Sequence, residues 1–207
     1  MAGIEYETKY RNLGYTYIAG CDEAGRGPLA GPLVVAACIL PTDYDNPSID
    51  DSKKLNEKKR ELLFEEIKKV ALDYVIEIIS VEEVDKLNIY RASKVGMERC
   101  LKKLHHRYDA VLTDAMPIDE IKPYEAIIKG DAKSQSIAAA SILAKVTRDH
   151  IMYELDKEYP LYDLASNKGY GTKKHIEAIE KYGILPIHRR TYEPIKSILN
   201  EQLQFIL

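Results

Sequence analysis

The sequence predicts an α/β fold, a sheet with helices packed around it, and three observations predict it. Short apolar runs of strand length crowd the first third of the chain, helical periodicity takes over later, and several of the predicted strands end in acidic residues. No repeat, low-complexity tract or flexible linker interrupts the 207 residues. One domain over 1–207 is expected, with a helical region from about residue 160 to the C-terminus.

Taken in order, residues 15–21 and 33–40 read as two strands joined by a glycine-rich turn, short enough for antiparallel pairing. Asn56 is placed to cap a helix running to Val70, with Leu63, Ile67 and Val70 on one face. A strand over 72–80 precedes helical sequence over 81–106. Residues 110–113 form a short strand ending at Asp114, and 126–128 another, ending near Asp131. Residues 134–158, rich in Ala, Ile and Leu, make a long helix. Thr172 caps a further helix that stops at Gly183, ahead of Pro186.

Composition bounds the function. With 45% hydrophobic residues the chain can build a packed core, which excludes a disordered tail. The longest apolar run, 33–40, is too short to span a bilayer, so no membrane partner is expected. The opening MAGIEYETKY carries acids and no apolar stretch and does not read as a signal peptide. Cys21, Cys38 and Cys100 fit neither a disulfide framework nor a zinc site, and free thiols suit a reducing cytoplasm. The net charge of −3 argues against nucleic acid only as a sum. Residues 165–196 hold seven Lys or Arg against three Glu, and Lys53, Lys54, Lys58, Lys59 and Arg60 form a second basic cluster. Such patches can track phosphates, or simply be solvated helix faces.

Asp22 and Glu23 close the first strand, Asp114 closes a later one, and Asp131 follows another. On neighbouring strands these four carboxylates would converge at one edge of the sheet. Their repulsion calls for cations, and oxygen ligands without paired His or Cys select Mg²⁺ or Mn²⁺ over Zn²⁺. Two such ions about 4 Å apart can orient a water and stabilise a leaving oxygen in phosphodiester hydrolysis. Acids are also ordinary turn residues, and the chain has 33 of them.

Gly25-Arg26-Gly27-Pro28 is a Cβ-poor bend whose backbone amides and carbonyls can approach a ligand closely. A 2′-hydroxyl both donates and accepts, so such groups suit it, and Arg26 can take a phosphate. An ordinary hairpin would use the same glycines. No Gly-Lys-Ser/Thr follows, which excludes a P-loop.

Beyond these separate pieces, DEAGRGPLAGP at 22–32 resembles the signature of type 2 ribonucleases H, the ribonuclease HII family. The resemblance continues through Asp51-Ser-Lys-Lys-Leu, Asn88-Ile with Ala92-Ser, and Leu112-Thr-Asp114. It runs on through Lys129-Gly-Asp-Ala-Lys-Ser134, residues 139–149, Lys168-Gly-Tyr-Gly-Thr172 and Leu185-Pro-Ile-His-Arg189. It covers nearly the whole chain in the family's order. It implies a ribonuclease H-like fold: a mixed five-stranded sheet flanked by helices, with a C-terminal helical region. It implies hydrolysis of the RNA strand of RNA/DNA hybrids, and cutting 5′ of single ribonucleotides embedded in duplex DNA, leaving 5′-phosphate and 3′-hydroxyl ends. By motif position Asp22, Glu23, Asp114 and Asp131 match the family's metal-binding, catalytic carboxylates. Gly25, Arg26 and Gly27 match its ribonucleotide-reading turn, and Tyr170 the tyrosine that packs on sugar at an RNA–DNA junction. Lys53 and Lys54 are candidate phosphate contacts, with no sign of which faces the groove. Asp149, mid-helix beside Arg148, reads as structural, and His188 stays outside the catalytic set.

Three other readings compete. A type 3 ribonuclease H shares the acids but carries a different residue at Arg26 and an added N-terminal domain, for which about twenty residues before Asp22 leave no room. Another carboxylate-metal nuclease, such as a junction resolvase, would cut DNA lacking ribose. A non-catalytic clamp would bind without turnover. A monomer is expected, acting in ribonucleotide excision during DNA replication and repair.

Overall fold

The computed structural model describes residues 2–118 and 123–204. Five strands form one mixed sheet: β1 Ile18–Ala24, β2 Leu33–Ile39, β3 Asp73–Ile79, β4 Ala110–Asp114 and β5 Tyr124–Ile127, in the order β3-β2-β1-β4-β5. β1 pairs antiparallel with β2, as its short connection requires, and parallel with β4, which in turn runs parallel to β5. β2 is buried at every position. That is why it reads as an unbroken apolar run rather than an alternating one.

The first strand differs from the expected 15–21. It starts at Ile18 and runs on through Asp22 and Glu23, which pair with Ala36 and Val35. The acids therefore lie inside the strand instead of closing it, because the apolar partner β2 carries the ladder past them. The helical stretch expected over 81–106 is two helices, α3 Val81–Leu87 and α4 Ile89–Lys103, broken at Asn88, which has φ +63°. Positive φ suits Asn better than most residues, and Ser80 caps α3 by accepting the Glu83 N–H.

Helix α1, Glu5–Asn12, precedes the sheet, and α2 spans Glu57–Val70 with Asn56 accepting the Lys59 N–H as its cap. The long helix α5 runs Gln135–Glu158, followed by the short α6 Leu164–Asn167, α7 Lys173–Tyr182 and α8 Ile195–Gln204. The helical C-terminal region is thus present, its residues 205–207 lying outside the described ones. Among the described residues no helix is long and apolar enough to cross a membrane. Cys21, Cys38 and Cys100 are buried free thiols.

The chain divides into two compact units. The first comprises residues 1–24, 34–78 and 93–147; the second comprises 25–33, 79–92 and 148–207. In the first, Tyr10, Ile18, Ala110, Leu112, Ile127 and Ile137 form one apolar cluster. Gly20 lets the start of α5 lie directly on β1: a Cβ there would stand 2.1 Å from the Ser136 carbonyl carbon. In the second, Leu29, Ala30, Met152, Tyr162, Leu164, Ala178, Ile179 and Ile195 form a separate core.

Candidate active site

In the first unit, Asp22 of β1, Asp114 at the end of β4 and Asp131 each offer a carboxylate oxygen within 4.8 Å of the others. Parallel pairing of β1 with β4 puts Asp22 and Asp114 at the same edge of the sheet. Asp131 arrives differently: β5 ends at Ile127, and a 3-10 turn, Gly130–Ala132, delivers it. Lys129, in the left-handed region, starts that turn, and the Gly130 N–H donates to Asp114 Oδ1 at 2.8 Å. The turn feeds directly into α5, whose first residues accept a second anchor. Glu7 Oε1 of α1 receives the Ser136 N–H at 2.9 Å and the Ser134 hydroxyl at 2.6 Å. A carboxylate from a distant helix thereby does the work of an N-cap. Glu23, next along β1 and partly buried, stands outside the triplet.

The electrostatics are those of a site built for cations. Burial first, then the charges of Glu23 and Asp114, push the Asp22 carboxyl well above the usual range, against hydrogen bonds from Ser141 and the Glu23 N–H. Ser141 is in turn 3.0 Å from the buried Ser52 hydroxyl. Burial, Asp114 and Asp51 raise Asp131, and Lys53 partly offsets them. Burial alone would lower Lys53, but Asp131, Asp22, Asp51 and Asp114 outweigh it and hold the ammonium charged. Lys54 instead pairs with Asp50 at 3.5 Å. The two adjacent lysines therefore have different partners, Lys53 the carboxylates of the site and Lys54 Asp50. The donor set is all oxygen and like-charged, which fits a hard divalent cation such as Mg²⁺ or Mn²⁺. Asp51, Ser141 and Glu7 were not among the residues expected here. Asp51 and Ser141 both belong to stretches that carry the family resemblance, and Glu7 alone of the three had no signal.

The second unit holds the Gly25–Gly27 turn and Tyr170. Two arginines, both buried, hold the turn. Arg189 donates to the carbonyls of Gly25 at 2.6 Å, Arg26 at 3.0 Å and Gly31 at 3.0 Å. Arg148 donates to those of Ala30, Pro32 and Lys168. Burial and the neighbouring Arg189 charge pull Arg148 down to about 10, so it stays charged at neutral pH. Gly25 has φ +101°, and a Cβ there would stand 2.2 Å from Arg148 Nε, so glycine is required twice over. With the Gly25 and Arg26 carbonyls on Arg189, trans peptide geometry points the N–H groups of Arg26 and Gly27 the opposite way. Tyr170 is 48% exposed, and its Cε1 lies 3.4 Å from where a Gly27 Cβ would be. Its loop is tied down by the Leu29 N–H donating to Gly169 O at 2.8 Å. Asp149 is buried on α5.

The sheet order, the antiparallel second strand and the three gathered acids define the class of ribonuclease H-like nucleases. The crystal structure of the ribonuclease H2 from Pyrococcus horikoshii OT3 matches with a TM-score of 0.77 at 28% identity, over 89% of this chain and 98% of that one. Among curated relatives, the ribonuclease HII of Desulfitobacterium hafniense (strain DSM 10664 / DCB-2) is 53% identical over 90% of this chain and 72% of its own length. That of Listeria innocua serovar 6a is 52% identical over 92% and 73%. The Ribonuclease HII family model matches residues 19–194, and the chain belongs to the ribonuclease HII family. It is a ribonuclease H, a nuclease hydrolase.

Proposed function

We propose that this enzyme cleaves the RNA strand of RNA/DNA hybrids and cuts 5′ of a single ribonucleotide in duplex DNA, leaving 5′-phosphate and 3′-hydroxyl ends. The observation that carries the reading is the triplet of Asp22, Asp114 and Asp131 with ligand oxygens within 4.8 Å. Those three, with Glu23 beside them, are assigned to hold the divalent cations. Mg²⁺ or Mn²⁺, two ions in the complete site, would supply Lewis-acid stabilisation of the attacking and leaving oxygens. Lys53 offsets part of the carboxylate charge and is assigned a phosphate beside the acids, in preference to Lys54, which is engaged with Asp50. The outward N–H groups of Arg26 and Gly27 donate to the ribose 2′-hydroxyl, the Arg26 guanidinium takes a phosphate, and Tyr170 packs on the sugar at the junction.

Three labelled duplexes test this: all-DNA, RNA/DNA, and DNA with one embedded ribonucleotide, each with Mg²⁺, Mn²⁺ or excess chelator. Metal-dependent cutting of the last two alone is expected, with a single product end 5′ of the ribonucleotide. Cleavage of all-DNA, or undiminished cleavage in chelator, would overturn it.

A further inference from the structure

Two histidines that the proposed chemistry leaves idle lie behind Tyr170. His175, in the first turn of α7, and His188 are both fully buried, with Nε2 atoms 3.1 Å apart. Their outer nitrogens settle which proton sits where. His188 Nδ1 receives the Leu185 N–H at 2.9 Å, so that nitrogen carries a lone pair and its proton is on Nε2. His175 Nδ1 lies 2.9 Å from the Tyr170 carbonyl oxygen, which can only accept, so that nitrogen carries the proton and Nε2 is bare. The single consistent arrangement is a directed chain. Leu185 N–H donates to His188, His188 Nε2–H donates to His175, and His175 Nδ1–H donates to Tyr170 O. A third proton in the chain would set N–H against N–H across the 3.1 Å gap.

We propose that the His175–His188 pair, locked as neutral rings of opposite tautomer, is the positioning device that fixes the Tyr170 main chain and so aims its ring at substrate. The inference rests on the reading of Tyr170 as a substrate contact given above. Thr172 caps α7 by accepting the His175 N–H, and its own N–H donates to the same Tyr170 carbonyl at 2.8 Å. The carbonyl is thus held from two directions. Ala30 forms an isolated antiparallel bridge with His188, which joins this chain to the segment that follows the Gly25–Gly27 turn. Tyr162 packs edge-on to His175 and tilted on His188, and its hydroxyl is spent on Gly183 O. Arg189, next to His188, directs its guanidinium to the Gly25, Arg26 and Gly31 carbonyls. Burial lowers both imidazoles, against the Tyr170 carbonyl at His175, and the charge His175 would carry lowers His188 further, which favours the neutral rings the chain needs.

The test has two arms. Imidazole ¹⁵N spectra of the wild-type protein near neutral pH should show His175 protonated on Nδ1 and His188 on Nε2; the reverse tautomers, or a charged ring, overturn the proposal. The second arm measures kcat/KM for the single-ribonucleotide duplex relative to uniform RNA/DNA. Tyr170→Ala should lower the ratio roughly tenfold, the scale of one aromatic stacking contact. His175→Phe, which keeps bulk and loses the donor, should lower it similarly. His175→Asn, whose amide can still donate to Tyr170 O, should restore most of it. A full effect in Tyr170→Ala with none in His175→Phe overturns the positioning role and leaves the reading of Tyr170 standing. An unchanged ratio in Tyr170→Ala overturns that reading and the inference with it.

Discussion

Asp114 and Gly130 are joined by a 2.8 Å hydrogen bond from main-chain N–H to carboxylate. The acid that ends one strand thereby fixes the turn that brings in Asp131. The spacing of the triplet is set by backbone, not by free rotation of three side chains. A Cβ on Gly130 would stand 2.6 Å from Ile137 Cδ1, so the turn has little room to drift.

Neutralising Asp22, Asp114 or Asp131 with Asn should lower turnover by on the order of 100-fold or more, the scale of losing one preorganised electrostatic group. Stability should move the other way without metal. An acid with a raised folded value is destabilising when ionised; that cost is absent below its ordinary value of 3.8 and grows as pH rises through the folded one. In chelator at pH 8, Asp22→Asn should therefore melt higher than wild type, with the gap closing toward pH 4. Mg²⁺ at ~100 times its Kd should stabilise wild type by about 2.7 kcal/mol and Asp22→Asn by much less. Calorimetry with and without metal checks both signs.

His188 predicts an acid limb. Burial, then the charge that His175 would carry, lower it to about 4 from 6.5. Its neutral form contributes stability that is complete above 6.5 and is lost as pH falls toward 4, at most about 3 kcal/mol. Asp22 and Asp131 push in the opposite direction over the same range, so the comparison needed is wild type against His188→Asn. Urea unfolding from pH 7.5 to 4.5 should show a flatter acid limb in the variant. Parallel limbs would mean that the ring is not held neutral.

Arg189→Lys should destabilise the protein by about 2–4 kcal/mol, since an ammonium cannot replace a fork that reaches three carbonyls and the Tyr192 hydroxyl. The Gly25 and Arg26 peptides would then be free to rotate. Activity on the single-ribonucleotide duplex should fall further than the loss of folded protein explains. Circular dichroism melts alongside single-turnover rates separate the two effects.

Gly20→Ala should cost about 3 kcal/mol or more, because the added carbon meets main chain of Ser136, which cannot move without lifting the start of α5. The loss should appear in stability and in metal affinity together, as Asp131 lies on the turn leading into that helix. A mild, purely local effect would show up as an unchanged urea midpoint.

What the sequence disclosed was what is written locally. Asn56 and Thr172 announce their helices because a cap bonds three residues away. The acids of the triplet sit in short motifs, and β2 is a single apolar run. The limits of β1 were misread because Asp and Glu look like strand breakers until an apolar partner such as Val34–Ala36 is placed beside them. The work of Arg148 and Arg189 was illegible for a different reason. Their partners are carbonyl oxygens, which every residue has, up to 164 positions away in the chain. The Glu7 clamp on Ser134 and Ser136 likewise joins residues more than 120 positions apart, with no pattern to mark it.

The commitment of the Gly25 and Arg26 carbonyls to Arg189 has a consequence for what the enzyme can ignore. A sugar contact made by main-chain donors holds no information about the base attached to that sugar, and glycines offer no side chain with which to inspect one. On the function proposed above, adenine, cytosine, guanine and uracil ribonucleotides present the same hydroxyl to the same two peptides. An intruding nucleotide would then be caught for its chemistry wherever it falls in a genome, with indifference to the text around it.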